Sequence, residues 1–181
     1  MDSTQLLAHL RACLREAPLW DFALALYGRD GVEAACLQLQ DEARTDVCEL
    51  LWLCWLDVHG LVADGKLSAA LAPLRHWQAE MTQPLRQRRR ALKQQALTHP
   101  EIAELREAIK RAELLAEREA LRLLQRISED QLAPEGILRP REPTDLPLVE
   151  RLYAWLPEQK KQHLCALQTL ESRLDPSRGP R

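Results

Sequence analysis

Residues 84–97, PLRQRRRALKQQAL, set Arg86, Arg88, Arg89, Arg90 and Lys93 within two helical turns. Arg106, Lys110, Glu113 and Glu117 follow at helical spacing in PEIAELREAIKRAELLAEREALRLLQRI, residues 100–127. A guanidinium is planar, stays charged when partly desolvated, and pairs through two parallel hydrogen bonds with a carboxylate or phosphate. Two outcomes are open. The arginines of the first segment can meet Glu113 and Glu117 of the second in a semi-buried salt-bridge network, covering the core with their aliphatic stems. Alternatively Arg86, Arg89, Arg90, Lys93, Arg106 and Lys110 form a face for an anion such as phosphate, RNA or an acidic protein segment. RNA is the less supported of these ligands, because no exposed aromatics or glycine-rich loop accompany the basic residues.

Other groups able to do chemistry are sparse. Asp41, Glu42 and Asp46 in QDEARTD could chelate a divalent ion, but Asp46 reads as a helix cap and no second aspartate-rich motif completes a two-metal site. His59 falls near a helix C-terminus, where the partial negative charge favours its protonated form. His76, His99 and His163 have no partners at metal-ligand spacing. No Ser/His/Asp set, phosphate-binding loop or dinucleotide fingerprint is present. An enzyme reading therefore lacks a nucleophile, a base and a cofactor site, and neither cofactor nor metal is expected.

The elements that must position these groups are helices. The 181 residues, 46% hydrophobic and 29% charged with only six glycines, suit one ordered domain rich in Leu, Ala, Gln, Glu and Arg, and no sheet is expected. Net charge is −2 but unevenly spread: residues 1–74 hold 5 basic and 11 acidic side chains, residues 75–126 hold 12 and 7. The two blocks either attract each other within the fold or mark an external anionic ligand. Five cysteines without a CxxC pair suit reduced, packed thiols, and the N-terminus lacks the pattern of a signal peptide, so a cytoplasmic location is expected.

The stretch VCELLWLCWLDVHG, residues 47–60, is apolar on every face at about 100° per residue. It is too interrupted by charge to span a membrane and must be the centre of an assembly of helices, with FALALY and VEAACLQL as its jackets. Capping boxes at Asp30–Glu33, Asp46–Glu49 and Thr98–Glu101 predict helix starts. The expected helices are 3–17, 18–27, 31–42, 46–62, 67–97 (bent or broken near Pro73 and Pro84), 99–127, 146–156 and 157–172. Residues 128–146 read as a proline-rich linker, and the tail from 174 reads as disordered.

Residues 19–56, LWDFALALYGRDGVEAACLQLQDEARTDVCELLWLCWL, together with PLRxxRRxLK at Pro84 to Lys93 and IKRAELLAER at Ile109 to Arg118, resemble a family of short proteobacterial proteins catalogued as domain of unknown function 2390. The likeness covers roughly residues 18–125. It implies a bacterial cytosolic helical protein and brings no established activity, but its familiar parts include the arginine–glutamate seam.

The reading is an all-α, single-domain multi-helix bundle around a central helix at 46–62. Residues 1–127 form its core, 147–173 a C-terminal helical pair. Its expected role is a non-catalytic binding or adaptor module that engages a protein or anionic ligand through Arg86, Arg89, Arg90, Lys93, Arg106 and Lys110, as a monomer or homodimer. Charge reversal at Arg86 and Arg90 should then abolish capture while changing stability by no more than about 1 kcal/mol. The alternative is an enzyme or small-ligand carrier with an interhelical pocket lined by carboxylates and arginines, with Asp41, Asp46 and His59 supplying polar groups. Self-association through a Leu114–Leu121 band is a third expectation.

Overall fold

A computed structural model describes residues 3–63, 67–133 and 136–174; the tail expected to be disordered lies outside them, apart from Leu174, which closes the last helix. In chain order the elements are α1 (Ser3–Glu16), α2 (Leu19–Tyr27), α3 (Val32–Glu42), α4 (Val47–Val58), β1 (Leu61–Ala63), α5 (Leu67–Ala70) and α6 (Ala72–Trp77). A π-helical turn (Gln78–Thr82), α7 (Gln83–Ala91), a 3-10 turn (Gln95–Leu97), α8 (Pro100–Gln131), β2 (Leu138–Pro140), α9 (Leu148–Trp155) and α10 (His163–Leu174) complete them.

The architecture is all-α and built around α4, in which every residue from Cys48 to Leu56 is buried. Asp46 caps it, accepting from the Glu49 backbone N–H at 3.0 Å. Trp52 and Trp55 are fully buried. Their indole N–H groups are satisfied: Trp55 donates to the Ala17 carbonyl at 2.9 Å and Trp52 to the Ser128 hydroxyl at 2.7 Å. The jackets are α2 and α3 as expected, joined by α8, α9 and α10. Leu148, Leu152, Leu156, Leu167 and Leu170 of the C-terminal pair belong to the same hydrophobic cluster as α4.

Several local expectations are corrected. No side-chain cap forms at Asp30 or Thr98. Gly31 enters α3 with φ 80°, and Asp30 faces Arg173 instead; Thr98 directs its hydroxyl to His99 Nδ1, 2.9 Å away. The bend or break expected within 67–97 takes the form of separate pieces: α5, α6, a π turn, α7 and a 3-10 turn. Pro73 and Pro84 each stand in a first turn, where a missing N–H costs least. A two-stranded antiparallel sheet does form, with Leu61 opposite Pro140 and Ala63 opposite Leu138. It buries Leu61 and Leu138, and Arg141, next to β2, and Arg151, in α9, both pair with Asp57. Three-residue strands leave no periodic trace, so only tertiary packing selects them. His59 is also corrected: burial lowers its pKa, outweighing the helix end, and its ring stands edge-on to Trp55 at 5.1 Å.

The long helix α8 runs four residues past Ile127, and this extension supplies Ser128 to Trp52. The sequence spacing predicts an inward stripe of Ile102, Leu105, Ile109, Ala112, Ala116, Ala120, Leu123 and Ile127, and the helix is rotated from it, keeping only Ala116 and Ala120 among its buried residues. Glu113, Ala116, Ala120, Leu121 and Leu124 face inward, while Leu105 is exposed. Because Leu121 is inside the chain, a Leu114–Leu121 band is not a surface, and Leu114 alone is exposed.

Candidate functional site

The chain reverses between α7 and α8, and the two run antiparallel. Helix α7 buries no residue of its own and is tied to α8 by ion pairs. Arg86 reaches Glu113 with Nε at 3.0 Å and Glu117 with Nη2 at 2.7 Å; Arg89 grips Glu113 with Nε and with Nη2, the latter at 3.2 Å. The Glu113 side chain is only 6% exposed and that of Arg86 21%. Burial opposes ionisation of Glu113, but the bonds from Arg89 and Arg86 outweigh it and hold its pKa below the ordinary glutamate value. For Glu117 burial wins and the pKa is raised.

Beside this cluster lies a polar groove made of two adjoining hollows. The larger, about 500 Å³, is walled by residues that include Arg44, Asp46, Glu49, Arg75, Gln78 and Trp155. The smaller, about 300 Å³, includes Asp41, Arg44, Asp46, Gln87, Arg86 and Arg90. Arg44, Thr45, Asp46 and Gln83 belong to both, so the hollows are continuous around the start of α4. In the larger one the buried Glu49 carboxylate is held by Arg75 Nε at 3.2 Å and by the Trp155 indole N–H at 3.0 Å. In the smaller one Arg90 meets Asp41 at 2.9 Å, with both side chains about half exposed. The π turn contributes Gln78, and such turns recur where a helix must reshape around a site.

Asp46 lies at the waist of the groove. Burial pushes its carboxyl up to about 6, with the Glu49 carboxylate adding repulsion, against the Glu49 and Cys48 backbone N–H groups and Arg86, which pull the other way. Its folded pKa therefore lies above the ordinary value of 3.8. Between about pH 4 and pH 6 the native state holds a proton that the unfolded chain has released, so this residue makes stability fall as pH rises through that window. Asp46→Asn keeps a capping oxygen but cannot titrate. The urea midpoint of the variant is expected to lack that fall, and parallel profiles for the two proteins would remove the assignment.

The structure divides the eight residues singled out in the sequence. Arg86, Arg89, Glu113 and Glu117 form the cluster, Arg86 and Arg90 also line the groove, and the rest lie elsewhere. Lys93 is exposed in the turn after α7, while Arg106 and Lys110 turn to Glu107 on their own helix at 3.4 and 4.0 Å. Arg44, Glu49, Arg75, Gln78, Gln83 and Trp155 were missed. Only Arg44 carried a signal: it occupies the link between the end of α3 and the Asp46 cap, where glycine is common. Asp41 and Asp46 share the groove, but Asp46 precedes α4 and His59 follows it, so about 18 Å of helix separates them. Among the described residues no group of three or more His, Cys, Asp or Glu is arranged to hold a metal, and no helix is long and apolar enough to cross a membrane.

Fold and site together define an all-helical protein in which a buried tryptophan helix carries a polar, arginine-lined groove at its N-terminal end. The chain belongs to the family described as protein of unknown function (DUF2390), which matches residues 18–124. No curated protein and no solved structure matches it. The family match contains all the arginines of the groove, whereas Ala154, Trp155 and Pro157, which close one wall of the larger hollow, lie beyond it.

Proposed function

We propose that the protein is a non-catalytic binding module, an adaptor that takes an extended acidic segment of a partner protein into the groove at the start of α4. The observation that carries this reading is the set of four arginines, Arg75, Arg44, Arg86 and Arg90, that line two continuous hollows together with four glutamines and the carboxylates of Asp41, Asp46 and Glu49; Arg75 and Arg86 are held by buried glutamates, which leaves Arg44 and Arg90 to meet a ligand. Pockets for compact organic ligands are mostly apolar, and this groove is polar and open on one side, which suits a chain with backbone and carboxylate groups to satisfy. Arg90 and Arg44 are each held by an acid at the surface, and such exposed pairs are worth only about 0–1 kcal/mol, so an incoming carboxylate can displace them. The alternative of an enzyme or carrier shares the arginines and carboxylates of this groove but finds less support: Trp52 and Trp55 are fully enclosed, and Asp46 and His59 do not converge. Cytoplasmic residence is part of the same proposal, supported by five free thiols, three of them buried.

The test uses Arg90→Glu alone. Arg86 is unsuitable, because reversing its charge would set a carboxylate against the buried Glu113; the expectation that reversal leaves stability intact is therefore kept for Arg90 and withdrawn for Arg86. Fluorescence anisotropy of a labelled hexaglutamate peptide at low salt is expected to saturate on the wild type and to weaken at least about tenfold on Arg90→Glu. The melting temperature should stay within about 3 °C, as for an exposed pair worth less than about 1 kcal/mol. Equal binding by both proteins would end the groove reading. Preference for a single-stranded oligonucleotide over the peptide would replace the acidic segment with nucleic acid.

A further inference from the structure

Arg44 is the one non-glycine residue with positive φ, 55°, among the described residues. It follows the end of α3, where the Ala43 and Thr45 N–H groups both return to the Leu39 carbonyl, at 3.0 and 3.4 Å. That is the left-handed position closing a helix, which glycine fills without a Cβ clash and asparagine tolerates. An arginine there is strained, and strain of this kind persists where a side chain has a use. The use is suggested by its place: Arg44 lines both hollows, at the waist of the groove, with an 80% exposed side chain. Its Nε meets Glu158 Oε1 at 3.1 Å. Glu158 lies in the link between α9 and α10, 40% exposed, with Lys160 at 3.4 Å on its other oxygen and its backbone N–H on the Ala43 carbonyl at 3.3 Å. Without Arg44, Glu158 would keep a cation of its own.

We infer that Arg44 recognises a carboxylate of the acidic segment, and that Glu158 is an internal competitor for the same guanidinium. This rests on the groove reading above and goes further, because it names the recognition residue and a contact that lowers affinity. The C-terminal helical pair, beyond the family match, thereby tunes a site whose arginines lie within it.

The labelled hexaglutamate assay separates the claims. Arg44→Gly and Arg44→Asn both relieve the backbone and remove the charge, so each is expected to melt at or above the wild-type temperature yet bind about tenfold more weakly. Glu158→Gln is expected to bind about two- to five-fold more tightly, since only a weak exposed pair must be displaced. Loss of binding in Arg90→Glu with none in Arg44→Gly or Arg44→Asn would overturn the role of Arg44 and leave the groove standing. Weaker or unchanged binding by Glu158→Gln would overturn the competitor. Indifference of the peptide to all four substitutions would overturn the groove and this inference together.

Discussion

Trp52→Ala is expected to lower the free energy of unfolding by about 3–5 kcal/mol, the range for truncating a fully buried large aromatic. For a chain of this size that is a fall in melting temperature of roughly 6–20 °C. The indole is completely enclosed, and its N–H fastens α4 to α8 through Ser128. Because the Ser128 hydroxyl also donates to the Leu124 carbonyl at 2.8 Å, it keeps a partner when the indole is gone, and the loss comes from cavity and contacts more than from an orphaned polar group. Trp52→Phe should therefore cost much less, about 1–2 kcal/mol, for one hydrogen bond and a smaller volume deficit. Chemical denaturation of both variants, with an unchanged denaturant slope, measures this. A cost below about 1 kcal/mol for Trp52→Ala would mean that α4 is not the wrapped centre of the fold.

Glu113→Gln is expected to cost about 2–4 kcal/mol, somewhat below the range for breaking a fully buried ion pair because Arg86 and Arg89 keep some contact with water. The neutral amide leaves Arg89 without a carboxylate and Arg86 with Glu117 alone. The sharper form of the prediction compares this with the combined replacement Arg86→Met, Arg89→Met and Glu113→Leu, expected within about 1 kcal/mol of wild type, because apolar groups of similar volume do not carry the desolvation cost of the ions. Glu117→Gln is made in the same variant, because loss of Arg86 would leave its carboxylate without a cation. Glu113 also has a pH signature. Its folded pKa is depressed, so its stabilisation is fully present above the ordinary glutamate value of 4.5 and is lost as pH falls through the lower folded value, opposite in sign to Asp46. Glu113→Gln should lack that acid limb. Stability of Glu113→Gln equal to wild type across pH would show that α7 is held to α8 by something other than this cluster.

Much of the fold was legible because helix signals are local. The all-round apolarity of residues 47–58 could mean only a buried helix, and the Asp46 cap marked its start. The meeting of Arg86 and Arg89 with Glu113 is one of the two outcomes that the spacing left open, and a short reversal between the helices brings it about. The failures were of two kinds. Capping boxes at Asp30 and Thr98 were outcompeted by a glycine turn and by other hydrogen-bond partners. The facing of α8 was set wrongly because alternative apolar stripes differ by a fraction of a turn, and the structure seats Leu121 and Leu124, not Leu105, on the core.

The groove was less legible still. Its lining comes from the end of α3, the α3–α4 link, the start of α4, α5, α6, the π turn, α7 and the end of α9, separated by up to about a hundred residues, and no periodicity connects Arg44 to Trp155. From its sequence alone this chain was committed to helices, to one tryptophan-bearing helix at their centre, and to an arginine–glutamate seam downstream, because burial pattern and capping act within a few turns. Tertiary structure decided which charges became buried mutual partners and which stayed exchangeable at a groove, because that depends on desolvation, and only the packed neighbours determine how much water each carboxylate and guanidinium retains.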